Sequence, residues 1–395
     1  MEKRNDYKRY FKMTPKIYYR VLQTEGKLLN EMSNYYDGFV LEAHILEQFP
    51  KSLISFAITS EKPFFIDPTG KLSIPDSEKI VEKKWFKKIL EAYKISEYFR
   101  EEGILIEALR KNLARFAKAT INYQRKTTKQ KSGGVALFGI SGDLEPEIIL
   151  SPYFLITDLT SDIYQLNLKL LKKSLKYKGE NKLYATICIE KHLLFSRKIE
   201  KVISDFTIKG VDGYCVWIAN FREAEEDHVT LEKFVDFLKK LSNTGKPVIN
   251  LFGGAFSVFL GKLGLLDKVV HGIGYGEYRD PYVSATGFAP MRYYLPGIFS
   301  FVPISVAQEL ISELPELECK CKFCKEAKIT KKTDKNIKPE LLKKHYIASR
   351  WKEKQKSFKD LFNDLQKVIR RLEQKNLFEP YWNNLRHLKN WEKVL

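Results

Sequence analysis

Short apolar runs recur along this chain with amphipathic segments between them, and that rhythm restricts the fold more than any other feature. Candidate strands are GFVLEA (38–43), PFFID (63–67), PYFLIT (152–157), LYATICIE (183–190), GYCVWIAN (213–220), PVINLFGG (247–254) and VVHGIGYG (269–276). Strands alternating with helical crossovers signal a parallel sheet. Between the fifth and sixth runs Leu231, Phe234, Val235, Leu238 and Leu241 recur at helical spacing, and Asn243 to Pro247 stops that helix. Seven runs, with an eighth expected within RYYLPGIFSFVPI (292–304), predict an α/β chain folded as a (β/α)8 TIM-like barrel. A doubly wound open sheet is the rival.

The 395 residues can bury one large core or two medium ones. The expected organisation is a barrel over 1–310 with a helical insertion at 78–134, then a zinc-binding and C-terminal helical subdomain over 311–395. In the insertion, Leu105, Leu109, Leu113 and Phe116 mark helices, and NYQRKTTKQKSGG (122–134) is expected as a basic mobile loop. Near the C-terminus Phe358, Leu361, Phe362, Leu365, Val368, Ile369 and Leu372 form one apolar stripe, with Lys367, Arg370, Arg371 and Lys375 outside it.

Lys and Arg number 68 against 49 Asp and Glu, a net charge of +19, and such an excess implies an anionic partner, most often nucleic acid. No apolar run approaches the roughly 18–20 residues of a membrane span. No secretory h-region follows MEKRNDYKRYFKMTPK, and an odd cysteine count argues against a disulfide framework, so a cytoplasmic protein without a membrane partner is expected.

Three of the five cysteines stand in CKCKFCKEA (319–327). Cys319, Cys321 and Cys324 have the spacing of a thiolate metal site, and His345 is the expected fourth ligand of a structural Zn2+. Cys188 and Cys215 lie inside strand runs and read as core residues.

A barrel followed by C-x-C-x-x-C and a downstream His resembles the tRNA-guanine transglycosylase superfamily, whose zinc ligands follow the late barrel strands. The FIDP strand end, the helical insertion and the altered seventh-strand loop look most like its divergent DNA-guanine transglycosylase (DpdA) branch. The resemblance implies an enzyme exchanging guanine in DNA for a 7-deazaguanine such as preQ0 through a carboxylate-linked intermediate, with tRNA as the alternative polymer. It implies nucleic acid, a 7-deazaguanine base, and a second copy or proteins of a DNA-modification system as partners.

On that resemblance Asp67 in FFIDPTG is the expected acid/base, and Glu277 or Asp280 the nucleophile, because His271 stands where the family carries its Asp. Asp158, Glu190, Asn220, Gly253, Gly254, His271, Gly274 and Tyr275 are the expected substrate contacts, at or beyond successive strand ends. Phe65, Tyr153, Tyr275 and Tyr278 are candidate base-stacking surfaces. Two further readings stand beside it: a non-catalytic nucleic-acid-binding relative, and an unrelated barrel hydrolase with an appended zinc knuckle.

Overall fold

The computed structural model describes residues 14–70, 84–100, 103–104, 106–136, 144–274, 277–279, 291–329 and 337–395. Eight strands follow one another around a barrel: β1 (Lys16–Arg20), β2 (Gly38–Glu42), β3 (Phe64–Asp67), β4 (Ile149–Leu150), β5 (Leu183–Glu190), β6 (Gly213–Ala219), β7 (Val248–Asn250) and β8 (Lys268–Gly272). All pairings in this sheet are parallel, and β1 pairs with both β2 and β8, so the order runs unbroken from β3 back through β1 to β4. Between β3 and β4 the ladder reduces to a hydrogen bond from Glu147 N to Phe64 O at 2.8 Å. This is a nearly closed (β/α)8 barrel.

The expected eighth strand in 292–304 is corrected. That stretch forms an antiparallel hairpin, β9 (Arg292–Leu295) with β10 (Ser300–Pro303), outside the barrel sheet. The barrel is completed instead by β1, whose run KIYYR carries a charge at each end and two tyrosines. The third run also shifts: the strand is Ile149–Leu150, and the later segment touches the sheet through a bridge between Ile156 and Ile189.

Alternation along the strands separates two cores. Tyr18, Val40, Phe65, Leu150, Cys188, Cys215, Trp217, Ile249 and Val270 belong to a cluster that fills the barrel. Their neighbours of opposite parity, such as Tyr19, Leu41, Ile66, Ile187, Val216 and Val269, pack in the larger cluster against the surrounding helices. Cys188 and Cys215 are thus barrel-filling thiols, as their strand positions suggested.

The crossover helix His228–Ser242 starts where Asp227 Oδ1 accepts from Thr230 N at 2.7 Å, and it buries all five residues of its predicted face. The segment expected as a mobile loop is instead part of one long helix, Leu113–Ala136. Its polar residues mislead because some point inward: Gln124 is fully buried and its amide grips strand β4 on both sides, accepting from Leu150 N and donating to Leu150 O, each at 2.8 Å. One side chain thereby replaces a strand's hydrogen bonds where the barrel is thinnest. Leu109, Leu113 and Phe116 are buried as expected; Leu105 lies outside the described residues. The C-terminal stripe lies on helix Phe358–Gln374, with Leu361, Leu365, Val368, Ile369 and Leu372 buried. Among the described residues no helix is long and apolar enough to cross a membrane.

Candidate active site and metal centre

In a parallel barrel every strand ends on the same face, so strand-end residues distant in sequence converge there. Glu42 ends β2 and Asp67 ends β3, and they are partners in the β2–β3 register. Both are buried. Arg279, beyond β8, places Nη2 2.9 and 2.6 Å from the two oxygens of Glu42. Arg20, ending β1, adds Nε at 3.7 Å and His44 adds Nδ1 at 3.4 Å. Burial alone would push the Glu42 carboxyl up, but Arg279, His44 and Arg20 together pull it to about 2, so it stays ionised.

Asp67 is held oppositely. Burial, and then the negative charge of Glu42, raise its carboxyl above the ordinary value against the opposing pull of Arg279 and its hydrogen bonds. Oδ1 accepts from Tyr153 OH at 2.8 Å, Gly70 N at 3.1 Å and Thr69 N at 3.3 Å. Oδ2 has no partner among the described residues, and neither has Arg279 Nη1. Both atoms face Gly70: a Cβ there would lie 3.0 Å from Asp67 Oδ2 and 3.3 Å from Arg279 Nη1. Buried polar atoms left open in this way need a ligand or water to satisfy them. The walls are aromatic, with Arg20 3.8 Å and Arg279 5.0 Å from the Phe252 ring centroid, and Phe252 and Trp217 5.0 Å apart.

A second carboxylate pair lies beyond β6 and β8. Glu223 Oε1 accepts from Ser257 Oγ at 2.5 Å and Oε2 from Ser257 N at 3.1 Å. Glu277 accepts from Tyr346 OH at 2.7 Å and pairs with Arg350 Nη2 at 2.5 Å. Gly254 lets the two acids approach: a Cβ there would meet Glu223 Oε2 at 2.9 Å and Glu277 Oε2 at 3.0 Å. Both carboxylates border a cavity of about 330 Å3. Burial, with the Glu277 charge added, pushes Glu223 up to about 7 against its hydrogen bonds. A carboxyl raised on folding favours the native state at low pH and loses that contribution as pH climbs from its unfolded value through about 7. Glu223→Gln keeps an acceptor for Ser257 N and offers a donor to Ser257 Oγ. Its stability relative to the wild type should therefore rise between pH 4.5 and 7 by about 2–3 kcal/mol, at roughly 1.4 kcal/mol per unit. Urea unfolding across that range checks this; a difference independent of pH would refute it.

The other expected contacts scatter. His271 on β8 is fully buried, its Nδ1 is 2.6 Å from Gly253 O, and burial, then Arg350 and Arg20, keep its ring neutral. Asp158 is exposed and binds Thr160 N and Oγ1 at 2.9 and 2.6 Å, which makes it a turn residue before helix Asp162–Ser174. Glu190 pairs with His192 at 3.0 Å. Asn220 takes a left-handed backbone with φ 58° and leaves Oδ1 buried and without a partner among the described residues. Gly253 packs against Val269 and Ser257, so it serves strand–helix packing and not the approach of a base. Gly274 has φ 86° and open space beside it. Tyr275 and Asp280 lie outside the described residues. Of the expected stackers, Phe65 fills the barrel, Tyr153 serves Asp67, and Tyr278 lies under the Arg222 guanidinium at 3.8 Å.

Sequence reasoning missed Glu42, Arg20, Arg279, Glu223 and Arg350. Glu42 had a usable signal, since it stands at the end of GFVLEA by the same rule that selected Asp67. Arg20 was hidden with its unrecognised strand.

The Cys319, Cys321, Cys324 and His345 donor atoms all lie within 4.8 Å of one another, and these four could hold a metal ion. Three thiols and one imidazole suit a tetrahedral ion whose ligand sulfurs stand about 3.8 Å apart. Cys321 caps helix Lys322–Ala327 and accepts from Cys324 N at 3.4 Å. His345 comes from helix Pro339–Gln355; its Nε2 is 2.7 Å from Tyr294 O, which directs Nδ1 at Cys324 Sγ (3.1 Å) and Cys321 Sγ (3.4 Å). Tyr293 stacks on the imidazole at 4.7 Å and 11°. The same helix carries Tyr346 and Arg350 to Glu277, linking this cluster to the barrel mouth. Among the described residues, no other group of three or more His, Cys, Asp or Glu side chains meets as a candidate metal site.

No family model matches the chain, and no curated protein does. Solved structures that match include xylanases. Xylanase B from Clostridium stercorarium F9 is 10% identical over 66% of this chain and 86% of its own, with a TM-score of 0.35. An endo-1,4-beta-xylanase from Caldicellulosiruptor owensensis is 13% identical over 68% and 87%, at 0.35. Xylanase XynB from Paenibacillus barcinonensis is 9% identical over 66% and 85%, at 0.38. The likeness is one of barrel architecture.

The expectation of guanine exchange is corrected. In the site, the expected nucleophile position holds a buried neutral imidazole, Glu277 is engaged by Arg350 and Tyr346, and Asp158 faces solvent.

Proposed function

We propose that this chain is a barrel enzyme that hydrolyses a glycosidic bond, with Asp67 as the proton-donating acid. The observation that carries this reading is Asp67 Oδ2, without a partner among the described residues, beside an ionised Glu42 at the same strand-end face. Paired carboxyl groups whose surroundings push their proton affinities apart divide acid and charge-stabilising roles between them. Glycoside hydrolysis uses such a pair, one carboxyl protonating the leaving oxygen and one carboxylate opposing the positive charge that grows on the sugar. Asp67 has the raised affinity and the open oxygen, so it donates. Glu42, held ionised by Arg279, raises the proton affinity of Asp67 beside it. Arg279 Nη1, without a partner among the described residues, is a donor that orients a substrate hydroxyl or ring oxygen. The four-ligand cluster is read as structural zinc, since three thiolates and an imidazole leave no open coordination position.

A panel of nitrophenyl glycosides, nucleosides and oligosaccharides tests the reading. The wild type should turn over at least one class, and Asp67→Asn should lower kcat on it by about 100-fold or more with an unchanged unfolding midpoint. Full turnover by that variant, or no hydrolysis of any glycosidic bond, would sink the proposal.

A further inference from the structure

The basic stretch 122–134 is not used by the barrel mouth, and its helix builds a second feature. Helix Leu113–Ala136 forms one wall of a groove of about 650 Å3, lined at successive turns by residues from Ala114 to Lys131. Arg115, Lys118, Lys126 and Lys131 come from this helix, and Lys94 faces them from the turn after helix Lys84–Ala92. Lys94, Lys118 and Lys126 are exposed, and among the described residues no carboxylate pairs with them. The one acid in the lining, Glu47, is buried and already neutralised by Lys131 at 3.1 Å and Tyr123 OH at 2.6 Å.

Arg115 pairs with Glu97 at 3.0 Å, so Lys94, Lys118 and Lys126 are the cations of this concave strip that no carboxylate compensates among the described residues, on a chain of net charge +19. From Lys118 to Lys126 the helix rises about 12 Å at 1.5 Å per residue. That is roughly three to four phosphates of one strand along a duplex axis, at 3.4 Å each. Tyr177 borders the strip with the Lys118 ammonium 6.0 Å from its ring centroid, which offers a ring face next to the cations.

We propose that this groove binds nucleic acid through the phosphodiester backbone of one strand. A concave strip with a flanking ring suits a strand better than a flat anionic membrane, which needs apolar side chains to insert. The site stands apart from Asp67 but close to it: Tyr93, next to Lys94, donates to Pro68 O at 2.6 Å, directly after Asp67. The inference does not rest on the glycosidic reading.

Fluorescence anisotropy with labelled single-stranded and duplex oligonucleotides, over 50–300 mM salt, tests it. Lys118→Glu with Lys126→Glu should weaken binding to the preferred polymer at least tenfold. Lys118→Gln with Lys126→Gln should lower the log–log salt slope by about 2, one for each phosphate that a lysine no longer neutralises. The Gln pair decides the matter if charge reversal lowers the unfolding midpoint. Lys359→Glu with Lys375→Glu, an equal charge change on the exposed face of helix Phe358–Gln374 and its end, should leave binding within twofold. Equal weakening in that control, an unchanged slope in the Gln pair, or wild-type binding to phosphatidylserine vesicles but to neither oligonucleotide would overturn the assignment.

Discussion

His345→Ala and Cys324→Ser are each expected to abolish stoichiometric zinc binding and to cost more than about 4 kcal/mol of stability, within the range that loss of a structural metal commonly brings. The size follows from what the cluster joins. Cys319, Cys321 and Cys324 surround one short helix, while His345 belongs to the 17-residue helix Pro339–Gln355. Without an ion, three thiols and an imidazole crowd within 4.8 Å with no charge to balance a thiolate, in a region where Cys324 and His345 are buried. Zinc binding to the folded state alone stabilises by mass action, so a strong chelator should lower the wild-type unfolding midpoint and leave His345→Ala almost unaffected. Metal content by mass spectrometry with chelator titration followed by circular dichroism checks this. A wild type that carries no zinc and is indifferent to chelator would refute it. Effects should extend to the mouth, because Tyr346 follows His345 directly and donates to Glu277.

Arg350→Met is expected to cost about 3–5 kcal/mol, the range for removing one partner of a buried ionic network. The Arg350 side chain is fully buried and serves three groups: Glu353 at 2.6 Å, Glu277 at 2.5 Å and Tyr294 OH at 2.7 Å. Methionine fills the space but leaves Glu353 buried and uncompensated, and it releases Glu277 from its position beside Gly254. Adding Glu353→Gln should recover part of the loss, because the carboxamide removes a charge that has lost its partner. Urea unfolding of the single and double variants measures both terms; a single-variant loss below about 1 kcal/mol would show that the network contributes little.

Much of the architecture was legible in the chain. A run such as LYATICIE, apolar on both parities, is a strand covered on both faces whatever its neighbours, and it occupies β5 without a residue's error. The C-x-C-x-x-C spacing was equally local, since an i, i+3 pair on the first turn of a helix brings two sulfurs together. The strand KIYYR was harder: five residues give little period, and it becomes a strand only because β8 and β2 both present free edges to it. The stretch at 292–304 failed in the opposite sense, because its apolar residues serve a hairpin packed on His345 and Tyr346. NYQRKTTKQKSGG looked like a loop because burial of Gln124 is favourable only once Leu150 supplies both hydrogen bonds.

The sequence by itself determined six of the eight barrel strands, which thiols converge with His345, and which acid ends the strand FFID. These rest on periodicity and on spacings shorter than one helix or one strand. Only the tertiary structure decided what those acids are. Asp67 differs from Glu42 because Arg279, 237 residues beyond Glu42, lies against one carboxylate and leaves an oxygen of the other open. Glu277 is a held carboxylate because Arg350 arrives from a helix 73 residues away. Proton affinity depends on charge and burial within a few ångströms, and at that range the neighbours are chosen by the closing of the barrel and not by the order of the chain.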